Sequence, residues 1–349
     1  MLVYWLTYLV PALFTVGRIR VGPAGWFALG SALACVIGFR YEVGTDWYNY
    51  VHLYYERSAN LTFSEAVNIS DPAFVLLNWI ATHIGVGIWF VNAFTGAAFA
   101  AGLVRFARRL PEPLLAFTAA IPYVGIVVAM NYTRQAIAIG FVLMALPYLY
   151  DRRMLAYLAT IFVAALFHKS AIIFVPLVVL VAERHRFLMI VFAVLAGVAG
   201  YFAVLADSVN ALTQQYVNSD YAQASQGAPL RIAMNALPAL VLLLGQRRLM
   251  TNAVERQLWT LVALLSLVFM VLVFRYATAV DRVALYFTPI QFVVASYLPQ
   301  LIATNSRALA RAIVVAVYAA VLYVWLTYAA NSYAWTPYQF WPFLSYPGL

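Results

Sequence analysis

Residues 154–182 read MLAYLATIFVAALFHKSAIIFVPLVVLVA: two apolar runs, 154–167 and 170–182, split by the polar step His168-Lys169. As one long helix, the segment would put His168 and Lys169 near mid-membrane, where ionisable groups are costly. It would also carry the following Glu183-Arg184-His185-Arg186 loop to the opposite side and invert everything after it. As two short helices that enter and leave by one face, it keeps every basic loop on a common side. Short, broken helices of this kind line water-filled cavities in membrane proteins. The two-helix reading is therefore preferred.

The rest of the chain demands a membrane. Of 349 residues, 65% are hydrophobic and only 9% charged, against about 25% charged in soluble domains. A water-soluble fold could not hide this much apolar surface. Further apolar runs lie at 2–17, 23–39, 86–104, 113–129, 133–150, 187–206, 229–245, 254–274, 282–302 and 308–328. The expected fold is an all-α polytopic transmembrane bundle of about 12 spans forming one integral membrane domain over 1–349. Outer segments are expected near 40–85 and 207–228, with an amphipathic surface helix capped by Asp71 before Pro72. The first apolar run follows no basic segment and is expected to be a retained span. The aromatic, proline-rich tail 331–349 is expected to lie at the membrane interface.

Charge sets the orientation. One set of loops, carrying Arg18, Arg20, Arg105, Arg108, Arg109, Arg152, Arg153, Arg184, Arg186, Arg247, Arg248, Arg256, Arg307 and Arg311, holds 14 cations against four acids. The other set holds seven cations against eight acids. The positive-inside bias places the first set in the cytoplasm and both termini outside. The net charge of +9 is dispersed between apolar runs rather than gathered in a stripe, which argues against nucleic acid. The lone Cys35 excludes an intramolecular disulfide and a cysteine zinc site. No Gly-rich nucleotide loop, HExxH or paired-aspartate motif is present, so no metal and no cofactor is expected.

Ionisable groups on the outer side stand singly among aromatic and amide residues, which makes them candidates for function. Arg40 to Tyr50 reads RYEVGTDWYNY. Gly44 there permits a tight turn and Asp46 could cap the next segment; the plain alternative is a capped turn with an Arg40–Asp46 pair. Met130 to Gln135 is a short turn that puts Arg134 at the start of a span, where a cation opposes the helix dipole. A compensating anion is required there, either an outer acid or a diphosphate, whose oxygens match the guanidinium fork. His168 is either a structural hydrogen-bonding residue or a base operating near neutral pH. Arg275 to Arg282 reads as a short outer turn bracketed by cations, holding an internal ion pair or adding to an anion pocket.

These segments together resemble the EpsG family. RYEVGTDWYNY at 40–50, Met130-Asn131-Tyr132-Thr133-Arg134-Gln135-Ala136-Ile137-Ala138, Phe167-His168-Lys169-Ser170-Ala171, Asp281-Arg282 with Tyr286, and Trp335-Thr336-Pro337-Tyr338 occur in the family's order over nearly the whole chain. The resemblance implies a Wzy-like glycosyltransferase that joins polyprenyl-diphosphate-linked oligosaccharides at the outer face of a bacterial cytoplasmic (inner) membrane. Metal-independent, inverting transfer is implied, in exopolysaccharide, capsule or O-antigen synthesis. His168 and Asp46 are then the candidate bases. Arg40, Arg134, Arg282, Arg275 and Lys169 are candidate diphosphate ligands, and Tyr48, Tyr50, Tyr132, Gln135 and Tyr286 would contact the substrate. Besides that substrate and membrane lipid, a chain-length regulator or export complex is a further partner; nucleic acid is not. The rival readings are a transporter or flippase of lipid-linked sugar and a glycan transferase of the O-antigen-ligase type.

Overall fold

The computed structural model describes residues 1–181, 227–302 and 304–343, together with Val191 and Leu195. In chain order the helices are α1 (Leu2–Val16), α2 (Pro23–Gly38), α3 (Trp47–Tyr50), α4 (Phe63–Asn68), α5 (Pro72–His83), α6 (Ile88–Ala107), α7 (Pro113–Ala120), α8 (Ala129–Asn131), α9 (Thr133–Tyr150) and α10 (Met154–Phe167). They are followed by α11 (Ala228–Leu249), α12 (Ala253–Leu272), α13 (Ala277–Ala284), α14 (Pro289–Leu301) and α15 (Arg307–Tyr328). The protein is a helical membrane bundle. Among the described residues, five helical stretches are long and apolar enough to cross a bilayer: Ile88–Ala107, Pro113–Asn131, Ala228–Gly245, Ala253–Leu272 and Arg307–Tyr328. Four shorter apolar helices accompany them: Leu2–Val16, Pro23–Gly38, Met154–Phe167 and Lys169–Val181. Most of the expected span 187–206, most of the expected 207–228 segment and the Glu183–Arg186 loop lie outside the described residues.

The chain forms two compact units. The first comprises Met1–Met144, Val163–His168 and Ala308–Leu349; the second comprises Ala145–Phe162 and Lys169–Arg307.

In the first unit, Pro113–Asn131 is the interior helix, with 89% of its apolar window buried, against 28% for α15. Its middle is not α-helical. Residues Ile121–Val128 wind as a π-helix, where Pro122 removes a backbone N–H from the ladder. Close helix approach rests on missing side chains. A Cβ on Gly96 would meet the Ala34 carbonyl oxygen at 2.3 Å, and one on Gly38 would meet the Ala93 Cα at 2.8 Å, so α2 and α6 touch backbone to backbone. A Cβ on Gly102 would lie 2.0 Å from the Gly140 oxygen, which brings α9 equally close to α6. Dispersion and close packing drive such contacts, because lipid removes the hydrophobic gain between helices. Leu2, Leu6, Leu9 and Leu13 stay exposed along one side of α1, a lipid-facing stripe at helical spacing.

The tail corrects the sequence reading. Trp335 is 1% exposed and its indole donates to the Ile126 carbonyl at 3.1 Å, so this residue is core rather than interfacial. Strand β2 (Gln339–Phe340) pairs antiparallel with β1 (Arg40–Tyr41), and the Gly44 N–H donates to Ala334 O at 2.8 Å. The tail thus holds the Arg40–Asp46 loop in place.

In the second unit, Lys169–Val181 is a 3-10 helix of 13 residues. The two-segment reading of 154–182 holds, with the break at His168. The tighter winding rises about 2 Å per residue, which lengthens a segment that would be short as an α-helix. The expected 282–302 span is instead broken: α13 begins at Ala277, a 3-10 turn covers Leu285–Phe287, and α14 runs from Pro289. Proline at the first turn of α14 forces the restart. Asn235 links this broken pair to α11, donating to Ala284 O at 3.1 Å and accepting from Gln291 Nε2 at 2.7 Å.

Candidate functional site

The first unit gathers its polar residues where α2, α5 and α9 begin or end. Arg40 follows the C-terminus of α2 and is 1% exposed. Its Nη1 donates to Ile37 O at 2.6 Å, its Nη2 to Thr133 Oγ1 at 3.0 Å, and its guanidinium faces the Trp47 ring at 5.7 Å. No acid pairs with it among the described residues, and its buried Nε has no hydrogen-bond partner there. Burial pushes its pKa down to about 10, against the opposing phenols of Tyr338, Tyr50 and Tyr4, so the cation persists at neutral pH. A buried charge held only by a carbonyl, a hydroxyl and a π face leaves positive potential uncompensated.

Arg134 follows Thr133 at the start of α9. Its Nη1 donates to Asp71 Oδ2 at 2.6 Å, and the guanidinium lies 4.5 Å from the Tyr54 ring centre. Its Nε is also buried without a hydrogen-bond partner among the described residues. The acid that the dipole argument demanded is therefore Asp71. His168 reaches the same oxygen, with Nδ1 3.5 Å from Asp71 Oδ2.

Asp71 was expected to cap α5. It occupies the N-cap position but in the left-handed conformation, φ 58°, and its side chain makes no cap bond. The carboxylate turns inward instead, 2% exposed. Asp46 likewise makes no side-chain cap on α3; its N–H donates to Asn131 Oδ1 at 3.2 Å, beside Thr45 Oγ1 at 2.9 Å. Asn131 thereby pins the Asp46 loop to the residues just before Arg134. Gly44 is required in this turn: its φ is +101°, and a Cβ would lie 2.6 Å from Met130 O.

Tyr50 is buried with its ring against Tyr54 and Phe74, and burial pushes its phenol up to about 12, keeping it neutral. Around it Tyr41, Trp47, Trp89 and Trp341 form an aromatic wall, with Trp341 stacked on Trp89 at 4.7 Å. Tyr48 is 56% exposed and stacks on His52. Gln135 is buried and Tyr132 half-buried.

Of the residues singled out in the sequence, Arg40, Asp46, Tyr50, Arg134 and His168 fall in this polar region of the first unit. Arg275, Arg282, Tyr286 and Lys169 belong to the second. There the reading of 275–282 as a turn is corrected in its second half: Asp281 and Arg282 lie in α13, and Asp281 binds Arg231 through two bonds of 2.9 and 2.7 Å. Arg275 and Arg282 are exposed, Lys169 is half-buried, and Tyr286 is packed against Phe174. Sequence reasoning missed Asp71 and Asn131 as site residues. The unfavourable placement of Arg134 was the signal for the first.

The EpsG family model matches residues 25–340, a span that takes in Arg40, Asp46, Asp71, Asn131, Arg134 and His168. The chain belongs to the EpsG family. EpsG proteins are Wzy-like polysaccharide polymerases, and membership gives this membrane protein a glycosyltransferase-type polymerase role. No match was found among curated proteins or among solved structures.

Proposed function

We propose that this EpsG protein lengthens a polysaccharide by joining oligosaccharide repeat units carried on a polyprenyl diphosphate, at the outer face of a bacterial cytoplasmic membrane. The observation that carries the reading is Asp71 shared between Arg134 and His168, next to the acid-free cation Arg40.

In this reading the acceptor hydroxyl oxygen attacks the anomeric carbon of the growing chain. The bond from that carbon to the diphosphate oxygen breaks, and the diphosphate leaves with the electron pair. The hydroxyl proton passes to His168. With Nδ1–H directed at Asp71, Nε2 is the basic nitrogen, the same logic by which a carboxylate orients a catalytic imidazole elsewhere. Arg134 meets the leaving diphosphate with the donors that Asp71 leaves over. Preorganised charge of this kind is often the largest catalytic contribution.

Arg40 is sealed from solvent, so its role is indirect: it fixes Thr133, and hence Arg134, and adds positive potential behind the diphosphate. Asp46 is the second candidate base. Tyr48, Tyr50, Tyr132 and Gln135 border the sugar. Displacement by a single base inverts the anomeric centre without a covalent enzyme intermediate, and no metal ion is required.

The test is purified protein in nanodiscs with a polyprenyl-diphosphate-linked oligosaccharide. A ladder of repeat lengths, unchanged by chelator, supports the proposal. A single transferred product points to a ligase instead. Substrate moved between leaflets without a new glycosidic bond points to a flippase.

A further inference from the structure

The first unit carries a second polar feature that the proposed chemistry does not use. A cavity of about 420 Å³ is lined by Arg18, Arg20, Arg311 and Glu112 together with the apolar side chains of Phe14, Ile19, Trp26 and Leu114. It lies at the start of α2, whereas Arg40 follows its end. Sixteen residues at 1.5 Å each separate the two by about 24 Å, close to the hydrocarbon thickness of a bilayer. The cavity and the Arg40–Asp71 cluster therefore lie at opposite ends of α2.

Its charge is not self-balanced. Arg311 binds Glu112 through Nε at 3.1 Å and Nη2 at 2.5 Å, which neutralises that acid. Arg311 Nη1 remains buried without a hydrogen-bond partner among the described residues. Arg18 and Arg20 are exposed at the rim, and neither has an acidic partner among the described residues. Three guanidinium groups thus face a space with one neutralised carboxylate and an apolar wall. Phosphate oxygens match the guanidinium fork, and the apolar wall matches the glycerol and first acyl carbons beneath a headgroup.

We propose that this cavity binds the phosphate headgroup of an anionic membrane lipid. Arg18 and Arg20 supply the charge at the rim, and Arg311 supplies the inner donor. The site is independent of the polymerase chemistry.

The experiment measures thermal unfolding of the full chain in neutral detergent with added phosphatidylglycerol, phosphatidylcholine or inorganic phosphate. Phosphatidylglycerol is expected to raise Tm and phosphatidylcholine not to. The R18A/R20A double variant should bind phosphatidylglycerol about 25-fold more weakly, roughly fivefold per arginine near a membrane surface. Removing Arg152 and Arg153, an equal charge on another exposed loop, should leave the shift intact. An equal loss in that control would show general surface attraction and overturn the site. An equal response to phosphatidylcholine would also overturn it. Stabilisation by inorganic phosphate as strong as by the lipid would overturn the assignment to a lipid.

Discussion

The Nη1 atom of Arg134 and the Oδ2 atom of Asp71 lie 2.6 Å apart, although 63 positions separate the residues in the chain. The pair joins the start of α9 to the residue before α5, and it fixes the charge of the candidate site. Asp71→Asn keeps the shape and removes the anion. Breaking one side of a buried pair costs about 3–5 kcal/mol; Arg134 keeps a quarter of its side chain exposed, which places this case at about 3. A fall in Tm and loss of the polymer ladder are expected together. An unchanged Tm in detergent-solubilised protein would show that the pair does not matter to the fold.

Gly44 gives a sharper structural test. Its φ of +101° and the 2.6 Å approach of Met130 O leave no room for a Cβ. Gly44→Ala is expected to cost at least 2 kcal/mol, combining strain and clash. Gly22→Ala, in open space at φ −76°, should stay within about 0.5 kcal/mol. Parallel melting curves of the two variants check the contrast.

Trp335→Ala tests whether the tail is part of the fold. The ring is buried, hydrogen-bonded to Ile126 O and edge-on to Trp325. Truncation of a fully buried aromatic costs about 3–5 kcal/mol. Limited proteolysis should then clip the variant near residues 330–343 under conditions that leave the parent intact.

Arg40 predicts a pH dependence. Burial places its pKa at about 10, so its charge is complete below that pH and is lost as pH rises through it. Activity that depends on the charge should fall along the same alkaline limb. A lysine starts lower, at about 10.4 in water, and the same burial lowers it further. Arg40→Lys should therefore shift the limb toward neutral pH, read from initial polymerisation rates between pH 7 and 10.5. A limb at the same pH in both proteins would remove Arg40 from the electrostatics of the reaction.

Much of the bundle was legible because apolar length and arginine spacing are local signals. The break at His168 could be read because an unbroken helix would have buried His168 and Lys169 and inverted the later loops. The inward turn of Asp71 was not legible. Asp before Pro at a helix start is an ordinary cap pattern, and only the distant Arg134 and His168 make the left-handed alternative worthwhile. Trp335 was misplaced for a related reason: aromatic residues near a terminus suit an interface, and nothing local announces that Ile126 offers a carbonyl to this one. The division of 282–302 turned on Pro289, whose effect on the helix is local but was outweighed by the continuous apolar run.

The central claim, that His168 held by Asp71 is the base of a diphosphate-leaving glycosyl transfer, is tested most directly by the single-turnover rate of His168→Gln in nanodiscs. A lipid-diphosphate-linked oligosaccharide serves as both donor and acceptor, and Tm is measured alongside. The account predicts a rate lower by about 10²–10⁴-fold with folding and substrate binding retained. A rate within threefold of the parent protein would contradict it.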